Sequence, residues 1–513
     1  MTTFNRTKNT KRNIIWGFIA KLIGLVGPFV TRTLMLYYLG VAYPGVNSLY
    51  TSVLQVLSLA ELGFGAAVTF SMFKPVAEGN VEEVAAYLNY FKRVYRIVGL
   101  VILVLGCAML PVLQFLVEGE WPADVNLHLC FLIYLFNTTV SYFLFAYKQS
   151  LLNAYQRADV INKANIIVMV LQFTLQSVAL VVAPNFYTFA ILIPCATVLS
   201  NLLVGWFSKR LFPEFSEANL KAIRLSDEKR AGVRKRVSGL VLQQVCVVTR
   251  NAFDNIVISA FIGITSVTLY GNYYIIMSGI IGVLGVLISS MAPAIGNSVA
   301  VESKEKNFAD CRLFMFLYAM ISIVLASCLF TLYQPFMVIW VGRENVLPFI
   351  IPALMTVYFY VLTMGDIRAA YVNANGLWWE MRWIALGETI ANLVLNLVLV
   401  KVMGLVGVVL ATLIVLFFVN FCYGSSLTFK LYFGYDKMWT YYKDHALYLV
   451  VCVAVCTITY LVCGLIPDGG IWWWLVKALA CMVCASVLLL VCFCRTKRFR
   501  EGLTFAKRVF KRG

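Results

Sequence analysis

Eight ionisable side chains lie well inside long apolar stretches of this sequence: Lys21, Arg32, Glu61, Arg250, Asp254, Asp366, Arg368 and Glu388. On insertion scales each costs about 2.5–3.5 kcal/mol at the middle of a bilayer, so all eight facing lipid would cost about 20–28 kcal/mol. The net stability of a folded domain is only about 5–15 kcal/mol. Most of the eight must therefore face an aqueous cavity or one another. Their spacing agrees with this. Lys21, Gly24, Pro28 and Arg32 recur every three or four residues and share one helix face. Gln55, Ser58, Glu61 and Gly65 form a second polar stripe, and Gln243, Arg250 and Asp254 a third. Arg250 and Asp254 are i,i+4 neighbours and can pair.

Arginine offers planar donors that match phosphate, and lysine adds a point charge. Lys21, Arg32, Arg250 and Arg368 are thus candidate ligands for an anion such as a phosphate-bearing lipid. Glu61, Asp254, Asp366 and Glu388 are candidate charge partners or ion-coupling groups. A purely structural reading stays open, with Arg–Asp pairs holding helices together and Lys21 or Arg368 snorkelling.

The elements that must hold these groups are helices. The chain has 513 residues, 61% of them hydrophobic and 13% charged. About 14 apolar segments have membrane-spanning length, near 20 residues or longer. We place them at 13–39, 46–72, 94–117, 127–153, 160–182, 185–207, 236–262, 266–297, 313–340, 348–375, 380–400, 405–429, 445–465 and 471–494. The fold class expected is an all-α polytopic membrane protein. The alternating pattern of barrel strands is absent.

The net charge of +18 follows topology rather than nucleic-acid binding. With the N-terminus inside, most Lys and Arg fall in cytoplasmic segments, whereas Arg343 and Lys401 fall outside. Both termini are thus expected in the cytoplasm. Trp16, Trp206 and Trp439 sit near inner ends, and Trp121, Trp340 and Trp472 near outer ends, as interfacial belts do. The basic tail 495–513 is expected to meet anionic lipid. The cysteines lie mostly within apolar spans and read as small hydrophobes, the pair Cys481 and Cys484 included. Lys477, near an outer end, is expected to snorkel. His128 and His445 fall at opposite faces.

The segment 73–93 reads as a short interfacial helix, because Val81, Val84, Leu88, Phe91 and Tyr95 follow helical spacing. The longest loop, 208–235, is basic and of linker length. It divides an N-terminal six-helix bundle, 1–207, from a second one, 236–430. Two further helices fill 431–494. The sequence also restarts weakly: Gly40 matches Gly263, and Leu49–Tyr50 matches Leu269–Tyr270. Paired halves of this kind are how many secondary transporters are built.

No G-x-x-x-x-G-K-[ST], H-E-x-x-H or D-x-D motif occurs. No enzyme activity, metal or cofactor is expected, and transport is the class that remains. A membrane polymerase of polysaccharide assembly would want a larger outer loop, and a non-transporting scaffold would make costly use of the buried charges.

Two stretches carry a family resemblance. Arg32 to Pro75, RTLMLYYLGVAYPGVNSLYTSVLQVLSLAELGFGAAVTFSMFKP, resembles the amino-terminal region of Wzx-type polysaccharide flippases. These belong to the multidrug/oligosaccharidyl-lipid/polysaccharide (MOP) exporter superfamily. Gly376 to Val415 resembles the same family's G-L-x-x-x-x-R followed by a carboxylate, N-L and G-x-x-G. The resemblance implies two six-helix bundles in a V with two added helices. It implies alternating-access translocation of undecaprenyl-diphosphate-linked oligosaccharide across the bacterial cytoplasmic membrane, for O-antigen or capsule. Its cationic cavity would correspond to Lys21, Arg32 and Arg250. The partners implied are the lipid-linked substrate, membrane lipids, and polysaccharide polymerase and chain-length machinery, around a monomeric transport unit. Multidrug exporters of the same superfamily are the nearest alternative, although their usual twelve helices and acidic or aromatic cavities differ from the pattern here.

Overall fold

The computed structural model describes residues 6–61, 64–119, 121–215 and 225–512. Every regular element among them is helical. The side chains of Glu61 and Gln243 lie outside the described residues. Backbone contacts divide the chain into two compact units, Met1–Thr268 and Leu269–Gly513.

The first unit begins with α1 (Arg6–Tyr38), α2 (Ala42–Leu57) and α3 (Phe64–Ala77). It continues through α4 (Val81–Met109), α5 (Leu127–Phe143), α6 (Tyr147–Ala154), α7 (Ala158–Val182) and α8 (Phe186–Leu211). The last is α9 (Asp227–Phe261). Asparagine caps three of these helices: Asn80 accepts from the Glu83 amide, Asn126 from His128 and Leu129, and Asn185 from Tyr187 and Thr188.

Two of its expected spans are broken. A 3₁₀ turn, Ser58–Glu61, interrupts the span over 46–72, leaving α2 and α3 as separate pieces. The span over 127–153 bends by 51° between α5 and α6. The expected surface helix within 73–93 is not a separate element. Asn80 caps a helix that runs unbroken from Val81 to Met109, so the amphipathic turns are the first turns of the third span. The loop 208–235 is also partly helical, since α9 starts at Asp227.

The second unit contains α10 (Ile264–Val301, whose first turn belongs to the first unit), α11 (Lys304–Val341), α12 (Ile350–Met364) and α13 (Asp366–Ala374). Next comes α14 (Trp378–Val415), followed by a π-helix at Leu416–Tyr423, α15 (Gly424–Thr428) and a second π-helix at Phe429–Phe433. The unit ends with α16 (Tyr435–Gly464), α17 (Gly470–Phe493) and α18 (Lys497–Arg512).

α14 is two spans. At Gly404 the backbone takes φ 55° and ψ −134°, a conformation that glycine adopts without strain. In an unbroken helix Asn392 and Thr412 would stand about 30 Å apart. Instead Asn392 donates to the Thr412 hydroxyl at 2.9 Å, so the chain has doubled back.

Among the described residues ten segments are long and apolar enough to cross a membrane, eleven with the bent pair α5–α6. One of them, Trp379–Phe433, holds the two arms that meet at Gly404. The expected spans 46–72 and 236–262 fall on the broken pair α2–α3 and on α9. Polarity is inverted relative to a soluble protein: Val104, Ile390 and Val398 are exposed, while Asp254 and Asn396 are fully buried. The protein is a multi-pass membrane protein.

Candidate functional site

In the first unit Arg32 stands where α1, α2 and the start of α10 meet. Gly45 permits this approach, because a Cβ there would lie 2.3 Å from the Ile264 carbonyl oxygen. Arg32 is half-buried and reaches across the junction. Its guanidinium donates to the Ser48 hydroxyl at 3.5 Å and to the Thr268 carbonyl at 3.0 Å. On α9, Asp254 is fully buried and Arg250, one turn earlier, is half-buried. The neighbouring Asn255 donates to Ser52 of α2 at 2.9 Å, which fixes that face of α9 against α2. Lys21 is exposed on α1, about 16 Å along the axis from Arg32. The backbone of Glu61 ends the 3₁₀ turn, and its side chain is among those not described.

Gly40 and Gly263 occupy equivalent junctions, α1 to α2 and α9 to α10. Their φ values are 117° and 120°. Each amide bonds a carbonyl five residues back, Met35 at 3.1 Å and Ile258 at 3.0 Å. The sequence match between the two glycines is therefore a match of helix-ending geometry.

In the second unit Arg368 and Glu388 are joined through a buried amide. Arg368 of α13 is 7% exposed and donates to Asn420 Oδ1 at 2.9 Å. Asn420 in turn donates to Glu388 Oε2 at 2.7 Å, and Glu388 is 3% exposed. A single amide thus gives its oxygen to the cation and its nitrogen to the carboxylate. Asn420 lies in the π-helix, a local form frequent at functional positions. Gly424 makes room, since a Cβ there would stand 2.4 Å from Arg368 Nη1. Asp366, at the start of α13, accepts a hydrogen bond from Tyr318 of α11.

Sequence reasoning missed Asn420, whose only signal was an amide inside the apolar run LFFVNFCY. It also missed Asp159, fully buried, which meets Arg12 at 2.9 Å, Arg157 at 3.0 Å and Lys163 at 3.8 Å. A third omission is Asp444 of α16, which Arg312 contacts at 2.7 Å and Arg498 of α18 at 2.9 Å. Lys477 does not extend past the helix end to water. It is 6% exposed and ion-paired to Asp468, a carboxylate in the link between α16 and α17. His445 is buried among the rings of Tyr441 and Phe421, with centroids at 4.5 and 5.1 Å.

No protein-family model matches the sequence, and no curated protein matches it. Solved structures do. A multidrug resistance MATE family transporter of the MOP superfamily, inward-facing, superposes with a TM-score of 0.63 at 16% identity, over 82% of this chain and 98% of that one. The fold is that of the MOP superfamily transporters. The lipid II flippase MurJ, in an inward closed conformation, gives a TM-score of 0.62 at 15% identity. That likeness covers 94% of this chain and 98% of the flippase. A MOP superfamily transporter from Pyrococcus furiosus, described by a reversed polarity of its binding pocket, matches at 0.56 and 14% identity, over 82% and 96%.

Proposed function

We propose that this protein is a Wzx-type flippase. It carries undecaprenyl-diphosphate-linked oligosaccharide from the inner to the outer leaflet of a bacterial cytoplasmic membrane, by alternating access, with both termini cytoplasmic. The observation that supports this reading is Arg32, which bridges α1, α2 and the start of α10 in the first unit, with Arg250 half-buried on α9 of the same unit. A diphosphate needs charge-assisted donors, and two guanidiniums in a low-dielectric setting supply them. Lys21, exposed on the same helix as Arg32, extends the cationic face. Coverage supports the reading as well: the likeness to a lipid flippase extends over 94% of the chain, against 82% for the drug exporter.

Arg368 takes a positioning role in this reading, because it is 7% exposed and is tied through Asn420 to Glu388. Asp254, fully buried one turn from Arg250, is a candidate carboxylate for coupling transport to an ion gradient, as are Glu61, Asp366 and Glu388. A polysaccharide polymerase and chain-length proteins are the partners that would consume the product.

The test is translocation in proteoliposomes, read as access of a membrane-impermeant glycosidase to an undecaprenyl-diphosphate-linked oligosaccharide. Wild-type protein is expected to raise access. Arg32→Gln/Arg250→Gln is expected to lower the rate roughly tenfold or more, the worth of a lost charge-assisted hydrogen bond. Unchanged flipping in the double variant would remove the anion site. Failure of folded wild-type protein to flip a matched substrate would favour the multidrug exporter reading.

A further inference from the structure

We propose that a neutral sugar-binding site lies in the first unit, in the pocket where its two broken helices face each other. This rests on the flippase reading for its biological ligand, the glycan of the lipid-linked substrate. The pocket has a volume of about 850 Å³. Ligand sites generally occupy about 300–1,000 Å³.

The location is the first argument. Broken helices at membrane depth expose backbone polar groups, and such groups are tolerated only within protein or along a polar cavity. Here the break at Ser58–Glu61 and the bend between α5 and α6 open onto one space. The Gly65 carbonyl, just past the first break, accepts from the Thr69 hydroxyl at 2.8 Å and from the Ser150 hydroxyl at 3.5 Å. Ser150 belongs to α6, beyond the second break, so a hydrogen bond links the two interruptions across the pocket wall.

The chemistry of the lining is the second. None of its described residues carries a charge. Among these described residues a phosphate would find no cation to pair with, and a cationic drug no carboxylate. What the lining does hold is hydroxyls and amides. Gln149 and Asn153, one turn apart on α6, line the pocket, and their side-chain amides make no hydrogen bond to the described residues. Each amide carries both donors and an acceptor, the complement of a vicinal diol. Ser58, at the first break, adds a hydroxyl.

Aromatic faces complete the set. Phe70 and Phe73 of α3 line the same space, 59% and 45% exposed, with ring centroids 5.9 Å apart at 68°. The negative face of such a ring attracts the polarised C–H groups on the apolar side of a pyranose. Tyr95, 8% exposed, backs the pocket from α4. Polar groups that read hydroxyls, set beside rings that cover a C–H face, fit an uncharged saccharide. They divide the substrate between two places in the first unit: the diphosphate at Arg32 and Arg250, and a sugar at the helix breaks.

The experiment uses full-length protein in phospholipid nanodiscs and a diazirine-tagged neutral trisaccharide. Labelled peptides are mapped by mass spectrometry, with untagged trisaccharide as competitor. Competed labelling of wild-type protein on α3 or α6 is the expected result, falling about fivefold in Gln149→Leu, as for one lost hydrogen bond. Labelling confined to other segments, or no competed labelling, would overturn the site without reference to any variant. Undiminished labelling in both Gln149→Leu and Asn153→Leu would do the same. Translocation is measured on the same protein in liposomes. Pocket labelling without flipping sinks the flippase reading and leaves the sugar site. Flipping with labelling elsewhere sinks the site and leaves the flippase.

Discussion

The relay of the second unit and the pocket of the first use polar groups in opposite ways. In the relay, Arg368 and Glu388 share Asn420, and both charges are nearly inaccessible. The pocket at the helix breaks is uncharged among its described residues, and there the side-chain amides of half-buried Gln149 and exposed Asn153 make no hydrogen bond to the described residues. A closed network fixes a shape and has little left to offer a ligand. An open set of neutral donors and acceptors contributes little to stability and can bind. Substitution should therefore affect folding at the relay and recognition at the pocket.

The largest expected effect is that of Asn420→Leu. It leaves Arg368 and Glu388 buried without their shared partner, and breaking a buried charge arrangement costs about 3–5 kcal/mol. The thermal unfolding midpoint in detergent should fall sharply. Gln149→Leu, at a half-buried pocket position, should stay within about 0.5 kcal/mol of wild type. Equal losses in the two variants would erase the contrast between relay and pocket.

Gly424→Ala comes next. Its Cβ would press on Arg368 Nη1 at 2.4 Å. Overpacking of this kind costs about 1–3 kcal/mol. The loss should shrink when Arg368 is changed to Met in the same chain, and a double-mutant cycle measures that coupling. Additive losses would mean that Gly424 matters for some reason other than room for the guanidinium.

A second comparison lies inside the first unit, between its two glycine junctions. Gly40→Ala and Gly263→Ala each force a side chain into positive φ, at a cost of about 1–3 kcal/mol. The Gly263 variant should lose slightly more. Its Cβ would come within 3.1 Å of the Glu118 carbonyl, whereas nothing lies within 4 Å at Gly40. Unfolding midpoints of the two variants check this, and a large disparity would count against equivalent junctions.

Much of this was legible in the sequence because a membrane makes polarity informative. Arg32 and Asp254 are conspicuous in apolar runs, and helical spacing was enough to give them a face. Gly40 and Gly263 showed through because glycine alone suits the φ of their helix ends. Asn420 did not. An amide in an apolar run is mildly polar, and its partners Arg368 and Glu388 lie 52 and 32 residues away, on other helices. The π-helix around it also shifts the helical register that spacing arguments assume. Asp159 was missed for a different reason. It stands at the start of α7 among Arg157 and Lys163 and reads as an ordinary flanking charge, whereas its burial depends on Arg12 from a distant part of the chain. The boundary of α4 went wrong because amphipathic turns and an apolar span can belong to one helix, and only a cap such as Asn80 marks where it starts.

The smallest expected effect is at the rim, where Tyr43 at the start of α2 donates to Asp124 at 2.6 Å. Partial burial, then the hydrogen bond and charge of Asp124, push the phenol up to about 12. A free tyrosine titrates near 10. Folding thus favours the protonated phenol, so the contact stabilises fully below about pH 10 and its contribution is lost as pH rises from about 10 to 12. The pair is largely exposed and screened, so the dependence should be shallow. It is read as the difference in unfolding midpoint between wild type and Tyr43→Phe, followed from pH 8 upward. That difference should be constant to about pH 10 and then narrow. Asp124→Asn should shift the narrowing to lower pH, because the carboxylate's share of the upward push is gone while partial burial remains. A difference that widens with pH would reverse the sign and mean that the phenolate is the form held in the fold.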